Sequence, residues 1–222
     1  MNSRASNDSS AATVVLVHGL WMVGFELGVL KHRLEADGRL RAVAFSYPSL
    51  AGVMSDHVHS LIEFARAQEA EQLHFVGHSL GGLVVLRALQ LTDELPPGRA
   101  VLLGAPVQGS KAAQGVARLV PFGKAILGAA VNEECIDYAP REWSGRRDVG
   151  VIAGSMGMGL GRLFAQLDGD HDGTVMVEET CLPGAKDHIV VETSHTGLLF
   201  SAQVAEQSAH FLRDGRFSRK SG

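Results

Sequence analysis

A serine, a histidine and a group of aspartates stand in this sequence where, brought together by folding, they could transfer an acyl group. The serine lies in Gly77-His78-Ser79-Leu80-Gly81-Gly82, directly after the apolar run Leu73-His74-Phe75-Val76. G-x-S-x-G at the end of such a run reads as a strand that ends, turns sharply and starts a helix, with the serine at the turn. To expose its hydroxyl there the serine must adopt a strained backbone, and side chains two residues to either side would collide. Glycine at 77 and 81 removes them. The following helix would aim free N–H groups and its positive dipole end at the reacting centre, where an oxyanion would form. Taken alone, the pattern also fits an ordinary glycine-rich turn from strand to helix.

The histidine is His195, in Ser194-His195-Thr196-Gly197-Leu198-Leu199-Phe200, ahead of a helical pattern over 201–213. Acids come from Asp168-Gly169-Asp170-His171-Asp172-Gly173-Thr174-Val175, with three aspartates in one short loop. The chain order is therefore Ser79, an aspartate, then His195. That is the order of the α/β-hydrolase triad, and other serine hydrolase folds use different orders.

On these residues the chain resembles the α/β-hydrolases, and within them the small lidless bacterial lipases and esterases. His18-Gly19-Leu20, Gly77 to Gly82, Asp172-Gly173-Thr174-Val175 and His195 to Phe200 each match a block of that group. Leu103-Gly104-Ala105-Pro106, with Gly109-Ser110, resembles the stretch after the next strand. The likeness runs over residues 12–213, whereas 107–147 matches no block. It implies Ser79 as nucleophile, His195 as general base and acid, and Asp172 as the residue orienting the imidazole. It also implies the backbone N–H groups of Leu20 and Leu80 as an oxyanion hole. Asp170 is the alternative acid, and the chemistry implied uses no cofactor.

The same acidic loop fits a second pattern. Asp168-x-Asp170-x-Asp172-Gly173, then five residues and Glu179, matches the calcium loop of an EF-hand. The exit side argues against it, because Thr180-Cys181-Leu182-Pro183-Gly184 puts a helix breaker where the second helix should run. No metal site is expected here. Nor is one expected at His57-Val58-His59, since residues two apart on a helix face different directions.

The elements that must hold these groups follow from hydrophobic patterning. Near-continuous apolar runs predict six strands at 12–17, 41–46, 73–77, 99–104, 149–154 and 187–191, as for parallel strands buried on both faces. Helical patterns fall between and after them at 22–36, 54–70, 80–91, 111–129 and 201–213. Alternation of this kind predicts a doubly wound, mostly parallel sheet flanked by helices. One domain over 11–213 is expected, between polar and disordered tails at 1–10 and 214–222. Residues 107–147, with Pro121-Phe122-Gly123 as a break, read as a small lid or as a plain connection between strands.

Composition limits the partners. The 222 residues carry a net charge of −4 with no basic run, which argues against nucleic acid. Cys135 and Cys181 match no metal spacing and are expected as reduced core thiols. The apolar stretch 11–30 contains His18, Gly19 and Glu26, so it reads as a strand and helix rather than a signal or membrane segment. A cytoplasmic protein is expected. Glycine-rich 154–161 lacks both G-x-G-x-x-G and a P-loop lysine, and reads as a flexible loop. Met156, Met158, Leu160 and Phe164 could form an apolar rim that contacts an acyl chain, as could Trp21 and Met22. The expected activity is hydrolysis of a carboxylic ester. A thioesterase or lipid acyltransferase could use the same triad, and a non-catalytic binding protein on a hydrolase scaffold is the distant alternative.

Overall fold

The computed structural model describes residues 11–157 and 168–219. Its six strands are β1 (Ala12–Val17), β2 (Leu40–Phe45), β3 (Leu73–His78), β4 (Ala100–Leu103), β5 (Val149–Gly154) and β6 (Asp187–Val191). They form one sheet in the order β2-β1-β3-β4-β5-β6, with every neighbouring pair parallel. Helices α1 (Gly28–Leu34), α2 (Met54–Arg66), α3 (Leu80–Leu91), α4 (Lys111–Leu119), α5 (Gly123–Val131), α6 (Gly197–Phe200) and α7 (Ala202–Asp214) cover its faces.

Side chains alternate across a strand, so each central strand feeds two cores. Along β1, Val15 and Val17 pack with Leu61, Ile62 and Leu83 of α2 and α3, while Val14 and Leu16 pack with Leu30, Leu34, Val204 and Phe211 of α1 and α7. This double burial is why the strands read as unbroken apolar runs rather than as alternating ones.

The helices depart from expectation where local chemistry intervenes. The pattern over 22–36 yields α-helix only from Gly28, because Trp21 and Gly24 both take positive φ and hold 21–24 as a loop. That over 54–70 stops at Arg66, where Gln68 Nε2 donates back to the Phe64 carbonyl and Glu69 turns to positive φ. The 111–129 pattern divides into α4 and α5. Val120, ahead of Pro121, is forced to extended backbone, and Phe122 then turns left-handed at φ 59°. A second break at Gly128 frees carbonyls that Asn132 Nδ2 serves, donating to Lys124 O and Gly128 O.

The 107–147 excursion joins β4 to β5 and is built into the core. Leu127, Val131, Cys135 and Trp143 belong to the α2–α3 cluster. Buried Arg141 donates to Val107 O and Glu134 O and pairs with the buried Glu134 carboxylate, which Arg87 of α3 also reaches. Residues 215–219 depart from the expected disordered tail. Phe217 is buried against Phe211, and its N–H donates to Asp187 Oδ2. The two cysteines are unpaired, Cys135 buried and Cys181 exposed, so only the first is a core thiol. Among the described residues no helix is long and apolar enough to cross a membrane.

Candidate active site

After β1 the chain moves outward to β2, then crosses back to β3 on the other side. In an open parallel sheet such a reversal leaves a crevice beyond the carboxyl ends of the two diverging strands. His18-Gly19-Leu20 leaves β1 on one side of it, and Ser79 leaves β3 on the other.

Ser79 takes φ 54° and ψ −124°, a conformation that non-glycine residues rarely occupy and that only its surroundings hold in place. Its N–H donates to Leu103 O of β4 and its carbonyl accepts from Gly82 N–H, both at 2.9 Å. A Cβ on Gly77 would fall 2.6 Å from Gly81 O, and one on Gly81 would fall 2.3 Å from His18 O. Both contacts are with backbone, so neither position admits a side chain. The serine hydroxyl itself has no hydrogen-bond partner among the described residues.

The loops after β5 and β6 bring His195 to Asp172. His195 Nδ1–H donates to Asp172 Oδ2 at 2.6 Å, and His195 N–H donates to the Asp172 carbonyl at 2.9 Å. Asp172 is 1% exposed, and its other oxygen accepts the N–H groups of Thr174 and Val175 at 2.9 and 2.7 Å. Burial alone would push this carboxyl up. The adjacent His195 and the two amides outweigh burial and hold it below the usual carboxylate range. Asp168 and Asp170 are exposed, and of the three aspartates only Asp172 reaches the imidazole among the described residues.

Leu80 opens α3, so its N–H has no intrahelical partner, and the N–H of Leu20 is likewise unengaged among the described residues. Tyr47, at the end of β2, braces the loop that carries Leu20. Its hydroxyl donates to His18 O at 3.0 Å, and its N–H donates to His18 Nε2 at 3.2 Å. The two rings stack with centroids 4.5 Å apart, while His18 Nδ1–H donates to Gly19 O. Burial lowers the His18 pKa, and this neutral tautomer satisfies both ring nitrogens. Tyr47 gives no signal in the sequence as a site residue. Only the pairing of β1 with β2 puts it there.

Of the apolar contacts named from the sequence, three lie among the described residues. Trp21 is 57% exposed at φ 59°, with its indole N–H donating to Ile126 O of α5 at 3.4 Å. Met22 packs against the α1–α7 core, and half-buried Met156 donates its N–H to Thr193 O. Met158, Leu160 and Phe164 lie outside the described residues. The calcium pattern does not converge. Asp172 is engaged as above, and both oxygens of Glu179 accept N–H groups, from Lys111 and Met176. Among the described residues no cluster of His, Cys, Asp or Glu could hold a metal ion.

A model of the alpha/beta hydrolase family matches residues 14–212. The chain belongs to the α/β-hydrolase family. No curated protein matches its sequence. Among solved structures, this α/β-hydrolase is similar to mature lipase BlEst2 of Bacillus licheniformis, at 18% identity and a TM-score of 0.69 over 86% of this chain and 88% of that one. It is similar to a metagenomic carboxyl esterase at 18% identity and a TM-score of 0.62, over 84% of this chain and 65% of that one. The RedJ thioesterase of prodiginine biosynthesis in Streptomyces coelicolor is similar at 11% identity and a TM-score of 0.59, over 91% and 87%. At such identities the likeness is one of fold.

Proposed function

We propose that this α/β-hydrolase is a serine ester hydrolase of the carboxylesterase or lipase type, working through an acyl-enzyme on Ser79. The observation that carries the reading is the buried Asp172–His195 bond. It engages Nδ1 and leaves Nε2 as the imidazole's free base, on the loop that packs against the Ser79 strand. His195 Nε2 takes the Ser79 proton as Oγ attacks the ester carbonyl carbon, and the N–H groups of Leu20 and Leu80 receive the oxyanion. Collapse of the tetrahedral intermediate breaks the ester C–O bond, and His195 gives its proton to the departing alcohol. Water repeats the cycle on the acyl-enzyme, and the acid leaves. Asp172, held ionised by its surroundings, fixes the tautomer and stabilises the imidazolium.

A lipase and a carboxyl esterase among the structural neighbours support this choice of substrate, and RedJ keeps a thioester as the second reading. Unpaired Cys135 and Cys181 support a reducing, cytoplasmic setting. The test is hydrolysis of p-nitrophenyl esters from acetate to palmitate, with wild type and Ser79→Ala side by side. Turnover should fall roughly 10⁴- to 10⁶-fold in the variant with its melting curve unchanged. A folded and active Ser79→Ala overturns the reading. Silence across the series with Ser79 still labelled by fluorophosphonate moves the assignment to thioesters or acyl transfer. Absence of labelling leaves a binding protein on a hydrolase scaffold.

A further inference from the structure

We propose that His78 is a positioning residue that locks the His195 loop to the strand carrying Ser79. The inference rests on the triad reading above. His78 is the last residue of β3, is 1% exposed, and is bonded directly to Ser79. Its Nε2 lies 3.0 Å from the His195 carbonyl oxygen. A carbonyl only accepts, so Nε2 carries the proton, and buried Nδ1 has no partner among the described residues. The two imidazole rings pack with centroids 4.7 Å apart, tilted by 45°.

The main chain and ring of His195 are thereby fixed at three points. Its N–H and Nδ1 are tied to Asp172, and its carbonyl is tied to His78. The first two hold the base to its acid and say nothing of where the pair stands relative to the nucleophile. The third supplies that link, because His78 and Ser79 share a peptide bond at the strained turn. Burial, first, and the adjacent His195 push the His78 pKa down to about 3, so the ring donates as a neutral group and sets no charge beside the forming imidazolium.

The experiment compares His78→Leu, which removes the donor, with His78→Gln, whose amide N–H can reach the same carbonyl. His78→Leu should lower kcat on a p-nitrophenyl ester roughly 10- to 100-fold and leave KM within about twofold, with fluorophosphonate labelling of Ser79 slowed in proportion. His78→Gln should recover most of both rates. If His78→Leu does not fold, His78→Asn replaces it, one methylene too short for the contact. Wild-type kcat in the folded donorless variant overturns the inference, as does a loss in KM alone or a Gln variant as slow as Leu. Failure of the triad reading is separable, because wild type would then show no Ser79-dependent rate, and the inference would fall with it.

Discussion

Two regions of this molecule bury polar and charged groups, one beyond the carboxyl ends of β1, β3, β5 and β6, the other in the excursion between β4 and β5. In the excursion, Glu134 and Arg141 are turned almost entirely on each other and on nearby carbonyls, and among the described residues Arg141 Nε and Asn132 Oδ1 are the buried side-chain atoms there without a partner. At the strand ends His18, Tyr47, Asp172 and Thr174 are just as firmly engaged, yet they surround groups that bond nothing among the described residues. Those groups are the Ser79 hydroxyl, His195 Nε2 and the amides of Leu20 and Leu80. Saturated burial holds elements together, whereas reactivity needs capacity left free inside a rigid frame. The difference separates a brace from a site.

That contrast is sharpest at the acid. Asp172→Asn should lower kcat by roughly 10⁴-fold, since an amide cannot hold the same tautomer, and should leave the fold intact. Asp170→Asn, exposed, should keep wild-type turnover. A dead Asp170→Asn beside an active Asp172→Asn would reverse the choice of acid. In the excursion the balance should invert. Arg141→Leu strands a buried carboxylate that Arg87 meets only from the surface side, and should remove about 3 kcal/mol from urea-unfolding stability. Its turnover per folded molecule should change little, and a large loss of kcat at full stability would make the excursion part of the site.

Acid should then loosen the whole protein through its buried histidines. Burial keeps His78 neutral down to about 3, and burial with Arg99 and Arg147 keeps His74 neutral down to about 4. Unfolded, each takes a proton near the ordinary histidine value. Their contribution is therefore complete above about pH 6.5 and is lost as pH falls below it, by about 1.4 kcal/mol per pH unit for each ring. Urea midpoints followed from about pH 7 to about pH 5 should drop steeply, and less so in His78→Gln. A level midpoint would contradict the burial argument. The smallest effect belongs to Tyr47→Phe, which deletes the bond to His18 O and should reduce kcat by about tenfold or less with KM unchanged. A change in KM alone would assign Tyr47 to substrate binding instead of bracing the Leu20 loop.

Much of the frame was legible in the residues. All six strands were marked within a residue or so: β1, β3, β4 and β5 by near-continuous apolar runs, because burial on both faces leaves no room for polar alternation, while the edge strands β2 and β6 keep exposed positions such as Arg41 and Val190. The elbow was legible because backbone contacts at Gly77 and Gly81 exclude every other residue type. Helix ends were less so, since they depend on left-handed residues such as Phe122 and Glu69, whose side chains do not announce the conformation. Tyr47 was hidden for another reason. Its role depends on strand order, and no local pattern encodes which strand lies beside β1. His78 was in plain view inside the motif, but its partner lies 117 residues away.

The sheet order also bears on how the chain is made. Ser79 and the Leu20 loop sit on strands that pair early in the sequence, but His195 follows β6, which only β5 can dock at the sheet edge. During synthesis a nascent chain would thus carry a formed elbow for more than a hundred residues without the base proposed to activate it. Long-range parallel pairing of this kind is slow to complete. The proposed hydrolytic competence would arrive last, as an end-of-line event, and a chain cut short before β6 would be released inert.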